Sequence, residues 1–206
     1  MKKRTTKPAS NKPANAKGAQ KPSQLRIIGG EWRSRKVPFV AVEGLRPTHD
    51  RVRETLFNWL QAQVAGAHCA DLFSGSGALG LEALSRGAES MLFVEQAASV
   101  ATQLKANLKT LNCVRGTVAN GDVLQWLKTQ KPQQLLDVVF LDPPFNKGLA
   151  QETCELLESQ AHLSNNAWVY VEVEKGLQWT PPANWRCHRE KTSGQVTFSL
   201  FQRTAP

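Results

Sequence analysis

The sequence predicts an α/β fold in which a mostly parallel sheet is covered by helices on both faces. Two observations carry this: apolar runs of strand length recur from His68 onward, and helix-length segments separate them. A third sets the limit of the pattern, because the last stretch, WRCHREKTSGQVTFSLFQR, reads as two strands joined by a turn at Ser193 and Gly194. The sheet is therefore expected to close with an antiparallel hairpin.

In chain order, residues 1 to 24 hold seven Lys/Arg and no acid among Pro, Ala, Asn and Ser, the composition of a solvated, disordered basic tail. Residues 25 to 45 form the next unit. Within it LRIIGGEWRSRKVPFV carries two short β-prone segments about Gly29 and Gly30, a hairpin extension ahead of the main domain. The main domain spans 46 to 206. It opens with HDRVRETLFNWLQAQV, where Val52, Leu56, Leu60 and Val64 recur every four residues and line one helix face, with Arg51 and Arg53 expected beside the stripe. Strands follow at 68 to 73, 90 to 95, 114 to 120, 135 to 142 and 167 to 174, with helices near 78 to 86, 97 to 110, 122 to 129 and 148 to 159. Strands alternating with helices of this length imply right-handed crossovers in a parallel sheet.

Charge is unevenly spread. Of the total of +9, residues 25 to 53 add seven bases against three acids, and the remaining 153 residues sum to −2. A basic front on a nearly neutral body suits a polyanionic partner, with Arg33, Arg35, Lys36, Arg46, Arg51 and Arg53 as candidate contacts to it. The four cysteines lie 44, 41 and 33 residues apart, which gives neither metal-ligand pairing nor a compact disulfide framework, so no metal is expected. No apolar stretch has the length of a membrane span, and a cytoplasmic protein is expected.

Ligands in such sheets bind outside the carboxyl ends of the strands, so chemistry is sought there. DLFSGSGALGLEAL places Gly75, Gly77 and Gly80 in a GxGxxG turn between strand and helix. Such a turn lets a ligand approach the backbone and meets it with the unpaired N–H groups of a helix start. Glu95 closes the next strand, placed to accept from ribose hydroxyls. The pattern fits a dinucleotide or S-adenosylmethionine. Asp71 tilts the choice to S-adenosylmethionine, because a carboxylate beside the loop suits a methionine amino group and opposes a pyrophosphate. Asp122 joins the expected set, as an acceptor for the adenine amine or as the N-cap of the following helix.

The third strand end reads LDPPF, Leu141 to Phe145. An exocyclic amine on a nucleobase is a poor nucleophile because its lone pair is delocalised into the ring. A rigid acceptor pair that holds both N–H groups turns that lone pair toward a methyl donor. Asp142 and the Pro143 carbonyl are the expected pair, Pro143 and Pro144 stiffen the turn, and Phe145 is expected to stack on the extruded base.

Taken in order, the glycine loop, the strand-end acid and DPPF resemble the class I S-adenosylmethionine-dependent methyltransferases that act on planar exocyclic amines. More of the chain resembles one family. LRIIGGEWRSRK, GLRPTHDRVRETLFNWL, DLFSGSGALGLEALSRGA, LDPPF, VYVE and NWRCHREKTSGQV are together similar to the bacterial 16S rRNA guanine-966-N2 methyltransferases, over roughly residues 25 to 203. The resemblance implies a Rossmann-like, seven-stranded sheet. It also implies cofactor contact from Asp71 to Gly77 and at Glu95 and Asp122, and a base pocket at Asp142 to Phe145. Phe73 and Ser74 fall within that cofactor loop. Arg46, Thr48, Arg51 and Arg53 are then expected near cofactor or RNA backbone and the hairpin with Arg33, Arg35 and Lys36 to face RNA, with 16S rRNA in the small subunit or an assembly intermediate as partner. Nothing in the sequence demands more than a monomer. Ser74 stands where such loops often carry alanine, a small-for-small change. Rival readings are a methyltransferase for another base, one for a protein glutamine, a nicotinamide oxidoreductase that leaves DPPF unexplained, and a non-catalytic assembly factor of the same fold.

Overall fold

The computed structural model describes residues 23–40 and 50–204; all but the last two residues of the expected tail at 1 to 24, and the candidates Arg46 and Thr48, lie outside the described residues. A hairpin of β1 (Ser23–Arg26) and β2 (Lys36–Phe39) comes first, followed by α1 (Asp50–Trp59). Next are β3 (His68–Asp71), α2 (Ala78–Ser85), β4 (Ser90–Glu95), α3 (Ala98–Thr110), β5 (Gly116–Asn120) and α4 (Val123–Thr129). The chain ends with β6 (Leu136–Leu141), α5 (Leu149–Ser159), β7 (Leu163–Glu174), β8 (Trp185–Ser193) and β9 (Val196–Arg203).

Seven strands form one sheet in the order β5-β4-β3-β6-β7-β9-β8. β3 to β7 pair in parallel, whereas β9 runs antiparallel to both β7 and β8. From β3 the chain winds outward to β5, then returns to β6 on the other flank of β3. The β3–β6 boundary is thus the topological switch point, where strand ends diverge and a crevice opens. β6 reads as a continuous apolar run because both faces are covered: Val138 and Phe140 join the core beneath α1, α2, α3 and the hairpin, while Val139 and Leu141 join the core beneath α4 and α5.

The small hairpin docks firmly on α2. Glu82, fully buried in an otherwise apolar helix, accepts from Ile28 N and Gly29 N at 2.8 Å each and from Arg86 Nε at 2.8 Å. Ser85 Oγ accepts from Trp32 N at 2.9 Å and donates to the Gly29 carbonyl at 2.6 Å. Gly30 has φ +72°, and a Cβ there would stand 1.8 Å from the Ser85 carbonyl oxygen, so only glycine allows this approach. Trp32, 3% exposed, anchors the tip in the core.

Arg53 corrects the expectation of a solvated arginine in contact with RNA. It is 1% exposed, donates to the Arg26 carbonyl at 3.0 Å and to Asp50 at 2.6 Å, and faces Glu82 at 3.9 Å. The cause is the breadth of the buried face of α1. Val52, Arg53, Leu56 and Phe57 are all buried, because the helix packs under the hairpin as well as over the sheet. Phe57 meets Phe140 of β6 with ring centroids 5.8 Å apart and Trp59 meets Phe198 of β9 at 5.4 Å, so α1 crosses from α2 to the antiparallel strands. The helix stops at Trp59, short of the stripe's last members, although Leu60 and Val64 remain buried in the turns that follow.

Other boundaries shift slightly. β1 begins at Ser23, inside the expected tail. β5 begins at Gly116, and the preceding Val114 is 96% exposed. β7 extends back to Leu163 through an irregular register between Leu136 and Val138. Among the described residues no helix is long and apolar enough to cross a membrane, and no group of His, Cys, Asp and Glu has metal-binding geometry.

Candidate active site

The glycine loop and the DPPF turn leave the two strands that border the switch point, β3 and β6, and so emerge side by side. Asp71 ends β3, yet it does not stand open to solvent as a strand-end acid would. It is 2% exposed, and its Oδ2 accepts from Gly80 N at 2.9 Å, which fixes the start of α2. Burial pushes its carboxyl up to about 7, against the lowering effect of the Gly80 N–H, and the nearby charges of Asp142 and Glu95 push the same way.

The loop above it is tightly held. Ser74 Oγ donates to the Asp71 carbonyl at 2.6 Å and to the Val94 carbonyl at 3.1 Å, and Gly77 N donates to the Ser74 carbonyl at 2.7 Å. Serine at this position therefore ties the loop to both strands, a contact that alanine would lack. Gly77 takes φ +77° as N-cap of α2, and a Cβ there would come within 2.6 Å of Leu104 Cδ1. Phe73 is half-buried against the α4–α5 side of the core.

Glu95, at the end of β4, is half-buried and reaches both neighbouring segments. Its Oε2 accepts from Gly75 N at 2.8 Å and its Oε1 from Ala97 N at 2.7 Å. It brackets the glycine loop while keeping carboxylate lone pairs for hydroxyl donors. Asp122, beyond β5, is exposed and caps α4 by accepting from Gln125 N at 2.9 Å, as its N-cap role requires.

At the end of β6, Asp142 is half-buried, Pro143 buried, Pro144 exposed, and Phe145 is 39% exposed, a large ring left bare at the mouth of the crevice. The turn is tied back to β7 through Asn146 N, which donates to Glu174 Oε1. Proline at 143 removes a donor, so the first peptide of the turn presents only an acceptor.

Asp71, Glu95 and Asp142 thus stand at the carboxyl ends of the neighbouring strands β3, β4 and β6, and the charges of Asp142 and Glu95 add to the raising of Asp71. Such a site disfavours a pyrophosphate and suits a ligand with an ammonium and a sulfonium, so the donor set fits S-adenosylmethionine and not a dinucleotide. The sequence reading did not single out two further residues. Tyr170 is fully buried, and its hydroxyl donates to Glu172 Oε1 at 2.8 Å; Glu172 itself is 5% exposed, one strand away from Asp142. An acid among the valines of VYVEVE was the available signal.

Of the candidate RNA contacts, Arg33, Arg35, Lys36 and Arg51 are exposed. Arg35 donates to the Thr110 carbonyl at 3.0 Å, at the last residue of α3. The hairpin tip therefore sits at the ends of α2 and α3 remote from the glycine loop, roughly 20 Å along a 13-residue helix.

Comparison with known proteins agrees with this geometry. The family model described as conserved hypothetical protein 95 matches residues 25–202. The chain is 50% identical over 184 residues to ribosomal RNA small subunit methyltransferase D of Escherichia coli, covering 88% of this chain and 91% of that one. With the Haemophilus influenzae protein of the same name it shares 48% over 190 residues, 91% and 96% of the two chains. The solved structure of the Escherichia coli protein yhhF superposes with a TM-score of 0.82 at 49% identity, covering 89% of this chain and all of that one (100%). The chain belongs to the ribosomal RNA small subunit methyltransferase D family.

Proposed function

We propose that the protein transfers a methyl group from S-adenosylmethionine to the exocyclic N2 amine of guanine 966 in 16S ribosomal RNA, within the small subunit or an assembly intermediate. One observation carries the reading: an acceptor-only turn, Asp142-Pro143, ends the central strand β6 beside an acidic glycine-loop crevice at the switch point. The name of the Escherichia coli relative supports ribosomal RNA of the small subunit as substrate.

S-adenosylmethionine, when bound, supplies an electrophilic methyl on a sulfonium sulfur that becomes neutral on transfer. The residues of the chain do the rest by positioning. Glu95 receives ribose hydroxyls while it braces Gly75. Asp71, beneath the loop, would set a negative potential for the methionine ammonium, and Asp122, at the start of α4, would accept from the adenine amine. Asp142 Oδ and the Pro143 carbonyl would each take one N–H of the guanine amine, pyramidalising the nitrogen and turning its lone pair toward the methyl donor. Phe145 stacks on the extruded base. No side chain need remove a proton before attack, since the methylated ammonium is strongly acidic and loses its proton to water afterwards.

Arg51, Lys36, Arg33 and Arg35 form a basic flank from α1 to the far ends of α2 and α3, so RNA would run along the side of the domain as well as over the crevice. Such contacts are salt-dependent and carry no sequence information. The protein acts as a cytoplasmic monomer in this reading. Nucleoside analysis of small-subunit rRNA from cells with and without the gene tests it: one N2-methylguanine should disappear at position 966. An unchanged nucleoside profile would refute the proposal.

A further inference from the structure

We infer that Glu172 is the residue that selects guanine, its carboxylate accepting the N1–H of the target base while Asp142 and Pro143 hold the adjacent N2 amine. The inference rests on the guanine reading above and deepens it.

The register of β6 against β7 pairs Leu141 with Val171, so Asp142, the first residue past the end of β6, and Glu172, within β7, each follow directly on that pair. Strands in a sheet are about 4.8 Å apart, a spacing at which two side chains can address adjacent groups of one base. Phe140 pairs with Tyr170, and side chains alternate along a strand, so Glu172 shares the face of Tyr170 and Phe140. Tyr170 is fully buried, Glu172 is 5% exposed, and the phenol donates to Glu172 Oε1 at 2.8 Å, which fixes the carboxylate in one orientation. Burial first, then the charges of Glu172 and Asp142, hold the Tyr170 phenol well above its ordinary range, so the hydroxyl stays a donor to Glu172.

A buried carboxylate is costly in an apolar strand unless it is hydrogen-bonded. Glu172 stands in the core strand next to the amine acceptors, held by a tyrosine that itself reaches no solvent. Guanine alone among the common bases presents an N–H at N1 beside an exocyclic amine at C2. Adenine and cytosine carry a ring lone pair beside their amines. A fixed acceptor one strand from Asp142 therefore pairs with guanine and repels the others, whereas Asp142 and Pro143 by themselves would hold any exocyclic amine.

The test compares target RNA carrying guanine with the same RNA carrying 2-aminopurine at the methylated position. The analogue keeps the C2 amine but offers a lone pair at N1. Wild-type protein should favour guanine in kcat/KM by roughly ten- to hundred-fold, the discrimination typical of a well-placed polar pair. Glu172→Gln offers an amide N–H opposite N1, so the preference should collapse or invert while S-adenosylmethionine affinity stays unchanged. Tyr170→Phe, which removes only the orienting hydroxyl, should lower the preference several-fold and serves if Glu172→Gln fails to fold. Equal use of both RNAs by wild type would overturn the inference. So would loss of activity on both in equal proportion in the variants, which would reduce Glu172 to a partner for the tyrosine. Product analysis separates this from failure of the underlying reading: if wild type makes no N2-methylguanine, the guanine assignment falls, and Glu172 with it.

Discussion

Replacing Glu82 with Ala should unfasten the front hairpin and destabilise the whole domain. The Glu82 carboxylate is fully buried, accepts the Ile28 and Gly29 amides and Arg86 Nε at 2.8 Å each, and faces the buried Arg53 at 3.9 Å. Its removal leaves the Ile28 and Gly29 amides without their acceptor, and a guanidinium that is 1% exposed with the exposed Asp50 as its remaining counter-charge. Breaking a buried pair from one side costs about 3–5 kcal/mol, most of it from the stranded charge. For a domain of this size that is a fall in Tm on the order of 10 °C. The double variant Glu82→Ala with Arg53→Met removes the stranded charge and should recover part of the loss, a non-additivity that a simple cavity would not give. Denaturant unfolding measures the stability, and hydrogen exchange at Ile28 and Gly29 reports the hairpin. A loss below about 1 kcal/mol, or unchanged protection of those two amides, would refute the clamp, given the cost expected for a buried pair.

Further predictions concern the crevice. Glu95→Ala frees the Gly75 and Ala97 amides and removes the acceptor for the ribose, so the dissociation constant for S-adenosylmethionine should rise by roughly ten-fold or more while kcat at saturation changes little; unchanged affinity by calorimetry would remove Glu95 from the site. Asp71 has a folded pKa raised to about 7 from 3.8, so folding favours its protonated form. Its contribution to stability is thus greatest below pH 4 and is lost as pH rises toward 7. Affinity for the cationic cofactor should change in the opposite sense, rising as the pH passes through about 7 and the carboxylate ionises. Asp71→Asn should flatten both profiles, and a wild-type binding profile already flat between pH 6 and 8 would contradict the assigned role.

The parallel sheet, its antiparallel close and the positions of the glycine loop, Glu95 and DPPF at strand ends were legible because each follows from local pattern: apolar runs, turn residues and the switch from strand to helix. Asp142, Glu95 and the glycine loop could be placed for the same reason, since a strand's carboxyl end is fixed once the strand is. Arg53 could not. Whether an arginine beside an apolar stripe meets water depends on what packs over the helix, and the hairpin that covers it is held by Glu82, 29 residues further along. The far position of Arg35 is likewise a consequence of docking on α3, which no periodicity encodes. Glu172 gains its meaning only from the register that places it one strand from Asp142.

The central claim is that Asp142 holds the amine and not the cofactor. Methyl transfer to small-subunit RNA and S-adenosylmethionine binding, measured together on Asp142→Ala, test it most directly. The account predicts a loss of transfer of roughly 10²-fold or more, as for removal of a group that orients the reacting atom, with cofactor affinity near that of the wild type. Equal losses of transfer and of cofactor binding, or transfer that survives, would contradict it.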